Sequence, residues 1–448
     1  MLVKEKTFYK SFFMLCLPIV LQNVIALSVN LADNIMLGSY SEAALSGATA
    51  VNLIQFIYQN ILMGIGDGLV ILAAQYWGRR NTEAVKKIAC VAMRTGLLVM
   101  VVLFAVMSLF PVQVMGLFTS DAAIISEGVR YVDIIRFTYP FFCVSTLLLS
   151  TLRSTEVVGI AFVTSLTALL VNCCINWCLI FGNLGFPEMG IRGAAIGTLV
   201  SRIVEMCLIL LFIIFREKNL HLRLRDFLRM DGNFVRDYFR VSAPIILLQC
   251  LWGVNNALQT VILGHMTSSA ISANSMASNL FQIVKTVAVG AASTANVIIG
   301  KTIGQGDMGR VKQYAKTMQL LFLGIGVCCS ILLFALTEPV LSLYTLSDES
   351  RELARTFLHI LCVVMLGMSY QMPVNSGIVK GGGDTKYVMK VDLTSIWGIV
   401  VPLSFFMAFV VKASPVAVVW CLNLDQLFKC VPAFIKVNYG HWVKKLTR

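Results

Sequence analysis

Charged residues are scarce in this sequence. Asp, Glu, Lys and Arg make up 13% of its 448 residues, whereas a soluble protein carries about 25%. Hydrophobic residues account for 58%, which leaves too few polar side chains to cover the surfaces of soluble domains. We therefore exclude a soluble enzyme, a nucleic-acid-binding protein and a secreted scaffold. We expect an integral protein of the lipid bilayer.

Motifs for metal, redox or group-transfer chemistry are also missing. The 13 cysteines lie almost entirely in apolar runs, and none of them forms a C-x-x-C pair. The 4 histidines are scattered, and there is no acidic D-D-x-x-D cluster of the kind that a membrane-embedded prenyl transferase needs. These absences predict no cofactor, no structural metal and no enzymatic activity.

Long apolar runs dominate the chain. Twelve of them reach the length of about 20 residues that crosses a bilayer as an α-helix, and their continuous apolar character is not that of a strand. The runs are 11–37, 46–76, 88–110, 134–152, 159–181, 193–215, 241–263, 273–302, 317–336, 355–379, 388–411 and 414–435.

Basic residues indicate how these spans are oriented. If both termini are cytoplasmic, the inner segments hold 26 Lys and Arg residues and the outer loops hold 6. Cytoplasmic loops of membrane proteins carry such an excess of cations. The sequence therefore predicts a multi-pass protein of the plasma (inner) membrane with both termini in the cytoplasm.

The two halves of the sequence resemble each other. A shift of 226 residues aligns Pro18 with Pro244, Gly38 with Gly264, and Gly78 with Gly304. We predict a six-helix lobe over 1–215, a cytoplasmic linker over 216–240, and a second six-helix lobe with a short tail over 241–448. Because each half has an even number of spans, the lobes should be related by a pseudo-twofold axis along the membrane normal. Such a repeat, with a cleft that opens to either side, favours a transporter.

Several motifs, in this order and spacing, resemble those of one family. They are LADNIMLG at 31–38, GLVILAAQYWG at 68–78, NCCINWCLIFGNLGFPEMGIRGAAIGTLVSR at 172–202, VIIGKTIGQGD at 297–307, GGGDTK at 381–386 and WCLNLDQLFK at 420–429. The chain resembles bacterial members of the multidrug and toxic compound extrusion (MATE) family. The resemblance implies a twelve-helix, two-lobed antiporter that exports amphipathic, often cationic compounds in exchange for H+ or Na+. We expect it to act as a monomer.

Asp33 is the strongest candidate for coupling to the ion. At helical spacing it shares a polar stripe of the first helix with Gln22, and Asn30 and Asn34 flank it. A buried carboxylate there can carry a proton, or it can ligate Na+ together with amide oxygens. The alternative is an acid that only joins helices through hydrogen bonds. The resemblance favours coupling, because Asp33 matches the first-helix aspartate of the family.

Three further residues are candidates for the cation site. Related proteins can carry an acid in the fifth helix where this chain has Asn176, and Asn172 lies one turn before it. Asp67 lies between glycines of the second helix. It is a second cation site, a partner for Lys285, or a solvated acid, and the sequence does not separate these roles.

Amides at membrane depth are the candidates for the substrate cleft. The position equivalent to Asp33 in the second half is Gln259, which cannot titrate, so the two lobes should not be functionally equal. The full set of candidates is Gln22, Gln55, Gln249, Asn255, Asn256, Gln259, Gln371 and Asn375.

The remaining charges within the spans favour a structural role. Arg202 and Glu205 are three residues apart, and Asp425 and Lys429 are four apart, which are spacings of ion pairs within one helix. Asp392 should lie at the membrane interface.

A lipid-linked oligosaccharide flippase is the alternative function. A flippase of this kind would need several cations in its cleft to receive large anionic head groups. Only four basic residues lie within the spans, which disfavours it.

Overall fold

The structure is a computed structural model. It describes residues 2–119, 121–218, 220, 221, 226, 231–264, 268–343 and 347–447. Within these ranges the chain forms α-helices, a few short helical turns of other types and connecting loops, without a strand. The predicted all-α class is confirmed.

Eight α-helices precede the predicted linker. Side-chain caps fix some of their starts: Asn81 accepts a hydrogen bond from the backbone N of Ala84 (3.0 Å), and Asp121 accepts one from that of Ala123 (2.8 Å). The helices are α1 (Lys6–Tyr40), α2 (Glu42–Gly78), α3 (Thr82–Leu109), α4 (Pro111–Gly116), α5 (Ala122–Ile135), α6 (Thr138–Ser154), α7 (Gly159–Phe181) and α8 (Ile191–Phe215).

The second half contains longer helices and wider turns. The helices are α9 (Gly232–Gly264), α10 (Ser268–Gln305), α11 (Met308–Leu343), α12 (Asp348–Met372), α13 (Thr385–Asp392), α14 (Val401–Phe405), α15 (Pro415–Asn423), α16 (Asp425–Phe428) and α17 (Cys430–Tyr439). π-Helical turns follow α12, α13 and α14, at Pro373–Val379, Leu393–Val400 and Phe406–Val410. The first begins at Pro373, which has no N–H to continue the α-helical ladder.

Helix length and composition match the predicted spans. In the described part of the chain, 10 helical stretches are long and apolar enough to cross a bilayer. Helices α5 and α6, which meet at a bend of 55°, together form an eleventh candidate span. The 33 residues of α9 extend over about 50 Å, which is long enough for a twelfth. The twelve-helix membrane architecture is confirmed, and its fourth span begins at a bend.

Large apolar side chains lie exposed along these helices. Leu98 of α3, Ile214 of α8 and Phe334 of α11 are 67%, 69% and 61% exposed. Contiguous apolar surface of this kind is unfavourable in water and is normal against lipid acyl chains. The exposed faces therefore agree with a bilayer as the solvent of this protein.

The chain forms two compact units. The first, here called the N-terminal unit, consists of Leu21–Ala73 and Asn81–Ser242. The second, here called the C-terminal unit, consists of Ala74–Arg80 and the described residues before Leu21 and after Ser242. The start of α1 and the end of α2 therefore group with the second half of the sequence. The division at 216–240 stays a prediction, and residues 219, 222–225 and 227–230 of that linker lie outside the described residues.

Two glycines allow a close helix contact in the C-terminal unit. A Cβ atom on Gly78, at the end of α2, would overlap the carbonyl oxygen of Lys301. A Cβ atom on Gly304, at the end of α10, would overlap the carbonyl oxygen of Gln75. The two glycines are equivalent under the 226-residue repeat, so both copies of the motif keep the residue that lets the backbones touch.

The C-terminal tail is hydrogen-bonded to the end of α2. The Gln75 side chain donates from Nε2 to the Lys444 carbonyl oxygen (3.1 Å) and accepts from the Leu446 backbone N (2.9 Å). The Lys444 backbone N donates to the Gly382 carbonyl oxygen (2.7 Å), and Trp442 is buried against Gly382. These contacts hold residues 440–447 against the loop that precedes α13.

Asp384 anchors the same tail by charge. Its carboxylate lies 2.6 Å from Lys444 Nζ and 2.9 Å from Lys436 Nζ, and the residue is buried. Burial by itself would raise the pKa of Asp384. The hydrogen bonds from Lys444 and Lys436 outweigh burial and hold the pKa below its usual value.

We predict that Asp384→Asn destabilises the folded protein. Removal of one partner from a buried ion pair costs several kcal/mol, and because Lys444 is half exposed we expect a loss of roughly 2 kcal/mol. Thermal unfolding of the protein in detergent at neutral pH measures this loss. The control is Asp307→Asn, which breaks an exposed pair with Arg310 and should cost less than about 1 kcal/mol.

The pH dependence follows from the lowered pKa of Asp384. Its stabilising effect is fully present above the ordinary value of 3.8 and is lost as the pH falls through the lowered folded-state pKa. The difference in unfolding temperature between the wild type and Asp384→Asn should therefore stay constant at neutral and mildly acidic pH. A difference that shrinks already near neutral pH would contradict this assignment.

Candidate functional site

Asp33 is held by an amide network in the N-terminal unit. Asn176 of α7 donates from Nδ2 to Asp33 Oδ1 at 2.6 Å, and the same nitrogen lies 3.3 Å from Asn172 Oδ1. Asn172 in turn donates from Nδ2 to Thr198 Oγ1 of α8 at 3.4 Å. The structure thus brings together three residues predicted for the cation site, Asp33, Asn172 and Asn176.

The position of Asn176 depends on a glycine in α8. A Cβ atom on Gly197 would overlap Asn176 Oδ1, and one on Gly193 would lie 2.6 Å from the Leu179 carbonyl oxygen. Close approach of α7 and α8 therefore requires both glycines. Asn176 is fully buried, and its Oδ1 has no hydrogen-bond partner among the described residues. This free oxygen lies on the same amide that contacts Asp33.

A small polar cavity adjoins Asp33. Its volume is about 30 Å³, which holds about one water molecule or one small ion. Two polar atoms of its lining, Gln55 Nε2 and Tyr139 Oη, are buried without a hydrogen-bond partner in the described structure. Beside Asp33 and Asn30, the polar lining comes from Asn52, Gln55 and Gln59 of α2, from Tyr58, Tyr131 and Tyr139, and from Thr138, Thr198 and Arg202.

Arg202 provides the positive charge in this cavity. Its Nη1 lies 2.8 Å from Glu205 Oε2, which confirms the ion pair expected from the sequence spacing. The guanidinium also stacks 4.9 Å from the ring centroid of Phe142. Because Glu205 already balances Arg202, the carboxylate of Asp33 remains the uncompensated charge of the cavity.

Asp67 has a different setting. Its Oδ1 lies 3.4 Å from Arg153 Nη2 of α6, and Asp67 is not part of the lining of the Asp33 cavity. Asn34 also lies outside that lining and is exposed. Of the other four cation-site candidates, Asp33 and Asn30 line the cavity, and Asn172 and Asn176 join it through the hydrogen bonds that lead to Asp33.

Buried amides of the C-terminal unit form a directed chain of hydrogen bonds. Asn375 donates to Gln371 Oε1 (3.3 Å), and Gln371 donates to Gln426 Oε1 (2.7 Å). Gln426 donates to Asp425 Oδ2 at 2.8 Å. Every amide nitrogen points toward Asp425, so Gln371 and Asn375 belong to one polar network that ends at this carboxylate.

Lys429 neutralises the end of this network. Its Nζ lies 2.8 Å from Asp425, which confirms the predicted pair within one helix, and 2.8 Å from Asp392. Asp392 is the third member of this cluster, and its expected position at the membrane interface stays a prediction. The sequence did not show this contact because Asp392 and Lys429 are distant along the chain.

The other amides predicted for the cleft lie in two places. Gln55 lines the Asp33 cavity, and Gln22 is half-buried on α1. On α9, Gln249, Asn256 and Gln259 are half-buried, while Asn255 is buried with an unpartnered Oδ1 among the described residues.

Several cavity residues were missed by the sequence analysis. Asn52 and Gln59 were missed, although they lie at spacings of three and four from the predicted Gln55 and form a polar stripe with it on α2. The tyrosines Tyr58, Tyr131 and Tyr139 gave no such signal, because aromatic residues are common throughout membrane helices.

Comparison with known protein families identifies the chain. The MatE family model matches residues 18–178 and again residues 244–406, which together cover more than half of the chain. The two matches begin 226 residues apart, at 18 and 244, which is the shift that aligned the two halves. The match and the internal repeat thus describe the same duplication.

Curated relatives agree with this assignment. The chain is 25% identical over 442 residues to a probable multidrug resistance protein NorM of Thermotoga maritima, covering 98% of this chain and 94% of the relative. It is 24% identical over 411 residues to the probable multidrug resistance protein YoeA of Bacillus subtilis, covering 90% and 88%.

Solved structures show the same fold. The MATE transporter VcmN of Vibrio cholerae superposes with a TM-score of 0.88 at 15% identity, covering 98% of both chains. A MOP superfamily transporter from Pyrococcus furiosus superposes with a TM-score of 0.86 at 16% identity, covering 96% of this chain and 94% of that one. These matches confirm the resemblance seen in the sequence. The chain belongs to the MATE family of multidrug efflux transporters, and it is a transporter rather than an enzyme.

Proposed function

We propose that the protein is a secondary active antiporter that exports amphipathic, mainly cationic compounds in exchange for H+ or Na+. It would act as a monomer in the plasma (inner) membrane, with both termini in the cytoplasm. The single observation that carries the proposal is the carboxylate of Asp33, which is held by Asn176 beside a cavity large enough for one small ion.

The chemistry of the cavity suits either coupling ion. Protonation would neutralise Asp33 while leaving a carbonyl oxygen to accept from Asn176 Nδ2. A Na+ ion would instead be ligated by the carboxylate together with amide oxygens of the cavity lining, such as those of Asn30 and Asn52. H+ and Na+ would each neutralise the negative charge of Asp33. Binding of either ion can therefore alternate with binding of a cationic compound.

The size of the cavity supports an ion site. A drug-sized compound occupies a pocket of roughly 300–1,000 Å³, while the space beside Asp33 is about 30 Å³. An exported compound is too large for this cavity, so it would affect Asp33 by favouring a different conformation of the protein. Binding of the ion would oppose that conformational change. Competition of this kind is the thermodynamic requirement for exchange, because each ligand must favour a different state.

Charge inside the spans argues against the flippase alternative. Of the four basic residues there, Arg202 and Lys429 are already bound to carboxylates within their own helices. A site for a large anionic head group would need several cations that have no such partner. Export of small compounds, which the family assignment indicates, needs no such unpaired cations.

We predict that Asp33→Asn abolishes ion-driven export. The amide preserves shape and hydrogen bonding, and it is cheaper to bury than a carboxylate, so the protein should fold and insert. Export from inverted vesicles under an imposed pH or Na+ gradient should fall at least about tenfold, to background. Binding of an amphipathic compound in detergent can persist, because apolar contacts remain.

The matched control is Glu42→Gln, which removes an exposed acid at the start of α2. It should transport as the wild type does. Full gradient-driven export by well-expressed Asp33→Asn protein would remove Asp33 from the coupling role, and Asp67→Asn would then become the next variant to test.

A second prediction concerns the glycine that accommodates Asn176. In Gly197→Ala the added methyl group must displace Asn176 Oδ1, so the hydrogen bond to Asp33 should weaken. We expect a change of roughly tenfold in the ion concentration that half-saturates export. Gly324→Ala is the control, because a Cβ atom there meets nothing within 4 Å. Equal ion dependence in both variants would show that the Asn176 contact does not tune the site.

A third prediction tests the topology. Accessibility tags placed at residues 1–10, 216–240 and 436–448 should all report the cytoplasm, as the distribution of basic residues requires. Labelling of single cysteines in intact cells and in inverted vesicles measures this. A tag in 216–240 that is labelled from outside would overturn the arrangement of two six-helix halves.

A further inference from the structure

The 226-residue repeat relates the Asp33 cavity to a region of opposite charge. Gln59 lines the Asp33 cavity, and its equivalent in the second half is Lys285. The equivalent of Asp33 itself is the neutral Gln259. The N-terminal unit therefore has an acid and a glutamine at the two positions where the C-terminal unit has a glutamine and a lysine.

Lys285 lies deep within a spanning helix. It is 17 residues from the start of α10 and 20 from its end, or about 26 and 30 Å along the axis. Because α10 is longer than the hydrocarbon core of about 30 Å is thick, Lys285 near its middle lies roughly 15 Å from either head-group region, beyond the reach of its side chain. An ammonium at this depth is costly unless something compensates for it.

Lys285 forms no ion pair with the described residues. Its Nζ lies 4.7 Å from the ring centroid of Trp252 on α9, a cation–π contact. In the described parts of the chain no carboxylate lies within 4 Å of it. Asp425 interacts with it electrostatically from beyond 4 Å. The Oδ2 atom of Asp425 receives both Lys429 and Gln426 at 2.8 Å.

Polar stripes on two helices meet at this contact. Lys285 follows Asn274, Ser278 and Gln282 at helical spacing on α10, and these residues are half-buried or exposed. Trp252 belongs to the stripe of α9 that contains Gln249, Asn256 and Gln259. The apolar core of the unit is built from the other face of α10, with Ala277, Leu280 and Val284. The half-buried Lys285 therefore lies on the polar face of α10 and not among these core residues.

We propose that Lys285 and Trp252 form a subsite for the anionic group of a transported compound. The inference rests on the proposed export function and adds to its cationic substrates the zwitterionic aromatic compounds, which carry a carboxylate beside a cationic group. The ammonium supplies a charge-assisted hydrogen bond to the carboxylate, and the indole supplies an apolar face for the adjoining ring. A purely cationic aromatic compound can still pack on Trp252, but it gains no hydrogen bond from Lys285 and is repelled by its charge.

A matched pair of dyes tests the subsite. Rhodamine B is a zwitterion with a free carboxylate, and its ethyl ester is a cation with the same ring system. Binding of each dye to the full-length protein in phosphatidylcholine nanodiscs, without an ion gradient, is measured by fluorescence polarisation against empty nanodiscs. In Lys285→Gln the preference for rhodamine B over the ester should fall about tenfold or more, because a charged hydrogen-bonding partner is lost.

Two control variants distinguish loss of the Lys285 charge from damage to the fold. Lys285→Arg keeps the cation and should retain the preference within about threefold. Lys301→Gln removes the same charge from α10 about 24 Å away, and the preference should not change. Lys285→Gln places at 285 the residue that the repeat has at position 59, so the helix should tolerate it.

Three results would overturn the proposal. They are an equal effect of Lys285→Gln on both dyes, no effect on either, or no specific binding of rhodamine B to the wild type. Because the assay uses no gradient, it does not depend on antiport. Failure of Asp33→Asn to stop ion-driven export would contradict the proposed coupling and leave this preference intact.

Discussion

Charge inside an apolar bundle must be compensated by the protein itself, and this requirement organises both units. Nearly all ionisable groups of the spans discussed above meet an opposite charge inside their own unit. The pairs are Arg202 with Glu205, Asp67 with Arg153, and Lys429 with Asp425 and Asp392. Asp33 and Lys285 differ, because an amide and an indole ring contact them instead. A charge whose nearest contacts are neutral keeps more of its attraction for a mobile ion than a charge held in an ion pair, which is why these two residues carry the proposals.

Glycine makes the closest of these contacts possible. Asn176 reaches Asp33 because Gly197 leaves room for its oxygen, and Gly78 and Gly304 let two helix ends touch backbone to backbone. In a bilayer, where lipid is as apolar as the helices, association depends on such close packing rather than on the hydrophobic effect. One residue type therefore serves the geometry of the candidate site as well as the contact between repeat-equivalent helices.

The polar networks of the two units end differently. In the N-terminal unit the amides lead to Asp33, beside a cavity with buried atoms that have no protein partner in the described structure. In the C-terminal unit they lead to Asp425, which Lys429 neutralises. Both networks contain a buried oxygen without a partner among the described residues, on Asn176 and on Asn375. The two units therefore differ in the charge at the end of the network, and this difference supports the coupling role proposed for Asp33.

The sequence by itself determined the class of the molecule. Apolar length predicts the twelve spans, the 226-residue repeat predicts the duplication, and local spacing predicts both ion pairs within helices. These features follow from neighbouring residues or from periodicity, which a linear chain displays directly. The sequence also singled out Asp33 and Asn176, the latter through a family resemblance rather than through any visible contact.

Only the tertiary structure decided which distant residues meet. Arg153 neutralises Asp67, and Asp392 joins Lys429, across separations that no helical spacing encodes. The start of α1 and the end of α2 group with the C-terminal unit for the same reason, since packing between helices and not their order along the chain sets that membership. Whether a buried charge is paired depends on the side chains that packing brings to it, and this is a property of three-dimensional contact alone.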